Sequence, residues 1–368
     1  MINQRFRHRG TEACRATDDN RRRPGEIEGI QMHGGADSLM YAMYPMLARA
    51  NENVAKRTEA VMSYKRTGLL LRLSGAFLIV GLATAQTRPP SVQSLRMYVM
   101  DCGLLTRGDP MLRFGVTTAQ VGGVTDFVTP CFLIAHPKGS ILWDTGIVAD
   151  RLVKPDGNTT VVSNTPLLNW TAMQTYREAA DTIGPSIVYR SLKSQLQEIG
   201  HTSADITYLV LSHNHVDHTA NANDYAASTW IVQKAERDFM FSERQRASSN
   251  FSSYSALEKA KTVVLEGDHD VFGDGNVVIK STPGHSPGHQ SLFLKLARTG
   301  PVFVTGDLYH YEAERTLGVI PPPSPDKERE RVSRATIEVF LKQTGAQLWV
   351  QHSLPNFRKL KKSPAYYD

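Results

Sequence analysis

The sequence predicts a single α/β domain with mixed sheets behind an N-terminal leader, on three observations. Short apolar runs rich in β-branched and aromatic residues recur along the chain, Ile206-Thr207-Tyr208-Leu209-Val210-Leu211 being the clearest, and read as buried strands. Between them stand stretches with apolar residues at helical spacing, such as Ile187, Leu192, Leu196 and Ile199, closed by Gly200. About 280 residues remain once the leader is set aside, enough for one domain with a sizeable core.

Residues 1–61 are polar and Arg-rich, with Arg21-Arg22-Arg23 ahead of Pro24-Gly25 and no sustained apolar period, and read as a disordered or over-extended segment. Residues 62–85 change character: a positive start (Met62-Ser63-Tyr64-Lys65-Arg66), an apolar stretch interrupted by Arg72, and Ala83-Thr84-Ala85 are the parts of a signal peptide. Cleavage after Ala85 leaves a domain of residues 86–368 and implies a periplasmic or secreted protein. The apolar stretch 73–85 is shorter than the about 20 residues of a spanning helix, so an uncleaved anchor is the weaker reading and membrane contact is expected only through the leader. Residues 1–86 hold 13 Lys+Arg against 8 Asp+Glu, which accounts for +5 of the net +6. A near-neutral domain offers no electrostatic footprint for nucleic acid.

Taken in order, residues 94–102 read as a strand and 103–123 as a loop. Residues 127–135 and 140–143 form a hairpin about His136-Pro137-Lys138-Gly139 that ends in Asp144-Thr145-Gly146. Residues 153–175 are an irregular insertion whose Trp170 and Met173, with Tyr176 just beyond, are candidates to line a substrate pocket. A helix over 186–199 leads to the strand 206–211; residues 229–232 form another strand and 233–241 a helix. The polar stretch 243–261 reads as a mobile cover. Strands at 290–296 and 301–304 and one helix over 329–344 precede the final strand. Cys102 and Cys131 lie in apolar runs, and a disulfide and two buried thiols are equally open. His136 and His201 read as surface residues.

The chemistry concentrates after the strand 206–211, in Ser212-His213-Asn214-His215-Val216-Asp217-His218. Imidazole nitrogens and a carboxylate are donors that zinc accepts, and four within six residues exceed what one ion uses comfortably, so two ions side by side are expected. Downstream come Thr282-Pro283-Gly284-His285-Ser286-Pro287-Gly288-His289, then Phe303-Val304-Thr305-Gly306-Asp307, then Gln351-His352. In order and spacing these elements resemble the metallo-β-lactamase superfamily and, within it, its N-acyl homoserine lactonase-like branch, over roughly residues 95–368.

The resemblance implies an αββα sandwich, two mixed sheets flanked by helices, and a pair of zinc ions. It implies that His213, His215 and His289 hold one ion, that Asp217, His218 and His352 hold the other, and that Asp307 bridges them, with His285 structural. Asp144 is either a residue that orients a ligand histidine or a simple Asx turn. The implied activity is hydrolysis of a lactone ring, foremost that of an N-acyl homoserine lactone: two cations activate a shared water and polarise the carbonyl, and Asp217 is the candidate to protonate the leaving alkoxide. Two departures stand out. The branch places a tyrosine three residues after the bridging aspartate, where this chain has His310 beside Tyr309, and an aspartate after the last histidine, where this chain has Ser353. Either His310 or Tyr309 serves as the carbonyl's hydrogen-bond donor, or the substrate differs. The alternatives are a thioester or arylester hydrolase on the same metals and a metal-binding protein without turnover. A homodimer stays open.

Overall fold

The computed structural model describes residues 91–105, 109–152 and 190–368, with the backbone of 162–163 and 170–171. The leader, Met173, Tyr176 and the side chain of Trp170 lie outside the described residues. The strands are β1 (Arg96–Met100), β2 (Leu104–Leu105), β3 (Phe127–Val128), β4 (Cys131–His136), β5 (Gly139–Trp143), β6 (Val162–Ser163), β7 (Trp170–Thr171), β8 (Tyr208–Val210), β9 (Thr229–Gln233), β10 (Thr262–Leu265), β11 (His269–Asp270), β12 (Val277–Ser281), β13 (Gln290–Leu296), β14 (Gly300–Val304), β15 (Gln347–Trp349) and β16 (Tyr366–Tyr367). The helices used below are α1 (Met111–Phe114), α2 (Leu192–Glu198), α3 (Val216–Thr219), α4 (Lys234–Met240), α5 (Glu312–Leu317), α6 (Lys327–Thr344) and α7 (Leu354–Lys359). None of the described helices is long and apolar enough to cross a membrane.

Seven strands form one sheet in the order β10-β9-β8-β5-β4-β1-β16, and five form the other in the order β11-β12-β13-β14-β15. Both are mixed: β5, β8, β9 and β10 run parallel, as do β14 and β15, and the remaining pairs are antiparallel. The period-2 alternation of strands sorts the side chains into layers. Val99, Ile134, Ile141, Trp143 and Val210 of the first sheet share one core with Val277, Leu292, Val302, Val304 and Trp349 of the second. The opposite face of the first sheet, Met100, Leu133, Leu209 and Trp230, packs on Leu192 and Leu196 of α2 and on Met240 of α4. The opposite face of the second, Phe293 and Phe303, packs on Ile337 and Leu341 of α6. Helix, sheet, sheet and helix make the expected αββα sandwich.

Helix boundaries follow local chemistry. Asp326 caps α6 by accepting the N–H of Arg329, and Gly345 ends it in the left-handed conformation. After Asp144 the chain makes only a 3-10 turn, Asp150–Leu152, and Asp150 accepts the N–H groups of Leu192 and Lys193 at the start of α2. Residues 243–261, read as a mobile cover, form short helical turns that bury Tyr254 and Leu257 completely. His136 and His201 are likewise buried, correcting their surface reading. His136 stacks on Phe272 and bonds Asp274 at 2.8 Å, and His201 Nδ1 lies 3.1 Å from the carbonyl of Ile199. Cys102 and Cys131 are joined as a disulfide between the segment after β1 and the start of β4, with Cα atoms 5.9 Å apart.

Candidate metal centre

Strand ends deliver the site. β8 runs into the His213 turn, β5 leads to Asp144, β14 leads to Asp307, β15 leads to His352, and the β12–β13 turn carries His285 and His289. Because β5, β8 and β9 are parallel, and β14 and β15 are parallel, ends of like direction gather at shared edges. His213 and His215 precede α3, and Asp217 and His218 sit in it.

The side chains form two groups that meet at Asp307. His213, His215, His285 and Asp307 bring their ligand atoms together, and so do Asp217, His218 and His352. In the first group His285 Nε2 lies 3.2 Å from His213 Nε2, 3.1 Å from His215 Nδ1 and 3.2 Å from Asp307 Oδ2. In the second, the Nε2 atoms of His218 and His352 lie 3.1 and 2.9 Å from Asp307 Oδ1, and Asp217 Oδ2 lies 3.6 Å from His352 Nε2. Asp307 therefore offers one oxygen to each group, the geometry of a bridging carboxylate.

The two histidines of the PGHSPGH turn are the reverse of the expectation. His285, at the tip, faces the first group, whereas His289, at the foot, does not join it. The carbonyl of His289 accepts the N–H of Thr282 and so extends the β12–β13 ladder. Its Nδ1 lies 3.1 Å from the carbonyl of Thr282, which makes Nδ1 the protonated nitrogen and leaves Nε2 to accept the backbone N–H of Asp307 at 2.9 Å. His289 thus holds the main chain of Asp307. Gly306 permits this contact: its φ is +56°, and a Cβ there would come within 2.7 Å of His289 Nε2.

Several residues set the ligand rings. Asp144, itself at φ +55°, accepts the Ser212 N–H at 2.6 Å and bonds His218 Nδ1 at 2.8 Å and the Gln351 amide at 2.7 Å, which decides for the orienting role over the Asx turn. His352 Nδ1 donates to the carbonyl of Val128 at 2.7 Å. Ser353 caps α7 through Asn356, so the serine that departs from the branch has a structural use. Glu236, on no expected roster, is buried among three donors from the two ligand loops, Asn214, Ser286 and Gly288; burial pushes its carboxyl up.

Of the two residues offered as the carbonyl's donor, only His310 reaches the site. It is buried, with Nε2 3.3 Å from Asp307 Oδ2 and Nδ1 3.2 Å from Glu314 Oε1. Arg334 bonds both Glu314 and Glu330, so alternating charges run from Asp307 into α6. Burial works against a charge on His310, yet Glu314 and Asp307 hold its pKa at about 10. Tyr309 points the other way, into the core beneath α6, with its hydroxyl on Glu338 and the Arg334 guanidinium over its ring. No sequence signal separates the two neighbours; the turn after β14 decides.

The donors fit a pair of zinc ions. His218 Nε2, His352 Nε2 and Asp307 Oδ1 are buried without a hydrogen-bond partner, yet they face one another. Lone pairs converging at such distances in a dry site require positive charge between them. Burial opposes ionisation of Asp307, but His352, His218 and His213 hold its carboxyl well below the usual range. Burial lowers His213 well below its ordinary value, which keeps its imidazole neutral, the form that binds metal.

A family model of the metallo-beta-lactamase superfamily matches residues 124–338, more than half of the chain. The chain belongs to the metallo-β-lactamase superfamily. Within that superfamily it is similar to N-acyl homoserine lactonase AttM of Azorhizobium caulinodans, 28% identical over 256 residues that cover 67% of this chain and 90% of that protein. It is also similar to N-acyl homoserine lactonase AiiA of Bacillus thuringiensis subsp. kurstaki, 26% identical over 64% of this chain and 85% of that one. Its fold is shared with a solved N-acyl homoserine lactone hydrolase holding the product N-hexanoyl-L-homoserine at its catalytic metal center. The TM-score there is 0.57 and the identity 22%, over 74% of this chain and 98% of that one.

Proposed function

We propose that this metallo-β-lactamase-fold chain is a dinuclear zinc hydrolase that opens the ring of a lactone, foremost an N-acyl homoserine lactone. The observation that carries the reading is Asp307, one oxygen on each of two histidine groups, in a chain whose relatives are lactonases. His213, His215 and His285 would hold one ion, and Asp217, His218 and His352 the other, with Asp307 shared. When bound, two such ions supply Lewis acidity and lower the pKa of a water to near neutrality. The chain's own residues do the rest. Asp144 and the Val128 carbonyl fix the rings of His218 and His352. His310 Nε2, on the Asp307 side of the site, donates to the carbonyl oxygen as charge builds on it. Asp217 takes the proton that the attacking water gives up and passes it to the leaving alkoxide, so that the ring opens to an acid and an alcohol.

The leader reading belongs to the same proposal: residues 62–85 act as a signal peptide and send the enzyme to the periplasm or outside the cell. The Cys102–Cys131 disulfide supports this, since such bonds persist in oxidising compartments. N-terminal sequencing of the exported protein should find Gln86, and a terminus well before it would sink the leader reading. The activity is tested by hydrolysis of short- and long-chain acyl homoserine lactones by the zinc-loaded chain, followed by acid release. Turnover that a chelator removes and zinc restores is expected; two bound zincs with no lactone turnover would move the substrate to a thioester or arylester.

A further inference from the structure

Glu236 lies on α4, outside both ligand groups, and is 2% exposed. Its Oε1 accepts the N–H of Asn214 at 2.9 Å. Its Oε2 accepts the Ser286 hydroxyl at 2.7 Å and the N–H of Gly288 at 2.9 Å. Asn214 stands between His213 and His215, Ser286 follows His285, and Gly288 precedes His289, which holds Asp307. Two loops far apart in sequence thus end on one carboxylate. The approach is close: a Cβ on Gly288 would come within 2.4 Å of the Glu236 backbone nitrogen.

We propose that Glu236 is a positioning residue for the first metal: by pinning both loops it sets the zinc affinity of the His213, His215 and His285 half. The inference rests on the dinuclear reading. Asp144 grips a ring of the second half directly, whereas Glu236 acts through main-chain amides, so its loss lets the loops drift relative to each other. Glu236→Gln is the sharp test because the shape is kept. Its amide oxygen can serve one loop, but its NH₂ then faces a donor of the other, and a buried donor is left without an acceptor.

Zinc affinity is measured by chelator competition in two backgrounds of the full chain, His352→Ala, which leaves the first half intact, and His285→Ala, which leaves the second. Glu236→Gln should weaken binding about 10- to 100-fold in the first background, the range for residues that orient ligands, and less than about 3-fold in the second. Equal weakening in both, or none in either, overturns the proposal. Where Glu236→Gln fails to fold, Ser286→Ala removes a single donor and should weaken the same half by a smaller factor; an effect confined to the other half overturns the proposal as well. Wild-type chain that binds fewer than two zincs would instead refute the dinuclear reading, independently of Glu236.

Discussion

In the half built from Asp217, His218 and His352, the structure grips the rings. His218 Nδ1 bonds Asp144 and His352 Nδ1 bonds the Val128 carbonyl, so each Nε2 is aimed by its own partner. In the half built from His213, His215 and His285, the structure grips the loops, through a carboxylate that binds main-chain amides and a serine. Their electrostatics differ too. Burial opposes a charge on His218, but Asp307, Asp144 and Asp217 raise it well above its ordinary value, whereas burial and the neighbouring His218 imidazole lower His213. The second half is a nest of carboxylates that draws positive charge; the first relies on Asp307 and on loop shape. In the first half His213 Nδ1 has the Ser212 hydroxyl at 3.1 Å, while His215 and His285 are set by the loops that Glu236 joins.

The largest expected effect removes what the halves share. Asp307→Ala should abolish hydrolysis, by on the order of 10³-fold or more, and weaken both zincs while circular dichroism stays native. Full turnover in a metal-checked preparation would refute the bridge. Next, His310→Ala should lower kcat by about 10²-fold with two zincs retained, as for loss of one donor to a developing oxyanion; an unchanged kcat would free His310 from the chemistry. Asp144→Asn should weaken the second half alone by about 10- to 100-fold, measured by zinc competition. His289→Ala should keep both zincs at roughly tenfold lower affinity, since only the support of Asp307 is lost, while His285→Ala should lose one ion outright. If the two behaved in the opposite way, the tip and foot of the turn would have to be exchanged.

The smallest effect concerns pH. The pKa of His310, about 10 in the folded chain, lies above the unfolded value of about 6.5. Its contribution to stability is then complete below the unfolded value and lost as pH rises through the folded one. In metal-stripped protein, the melting temperature of wild type should exceed that of His310→Gln at neutral pH, and the gap should close above about pH 10. A gap that widened with pH would show that His310 is neutral in the folded chain.

Much of this molecule was determined by sequence alone. Hydrophobic alternation places residues such as Val210 and Val304 in strands, because the side-chain period of a strand is written in the chain. The HNHVDH cluster marks a metal turn because its donors are neighbours in sequence, and six of the seven expected ligands stand in the two groups. What only the tertiary structure decided are choices between neighbours and contacts between distant segments. His285 over His289, and His310 over Tyr309, depend on which way a turn leaves its strand, and both members of each pair carry plausible chemistry. Glu236 is an ordinary helix residue until two loops separated by some seventy positions fold onto it. The pairing of Cys102 with Cys131 depended on β1 and β4 lying side by side. Local periodicity encodes which face is buried; which buried groups meet depends on how the two sheets stack, and no short stretch of chain carries that.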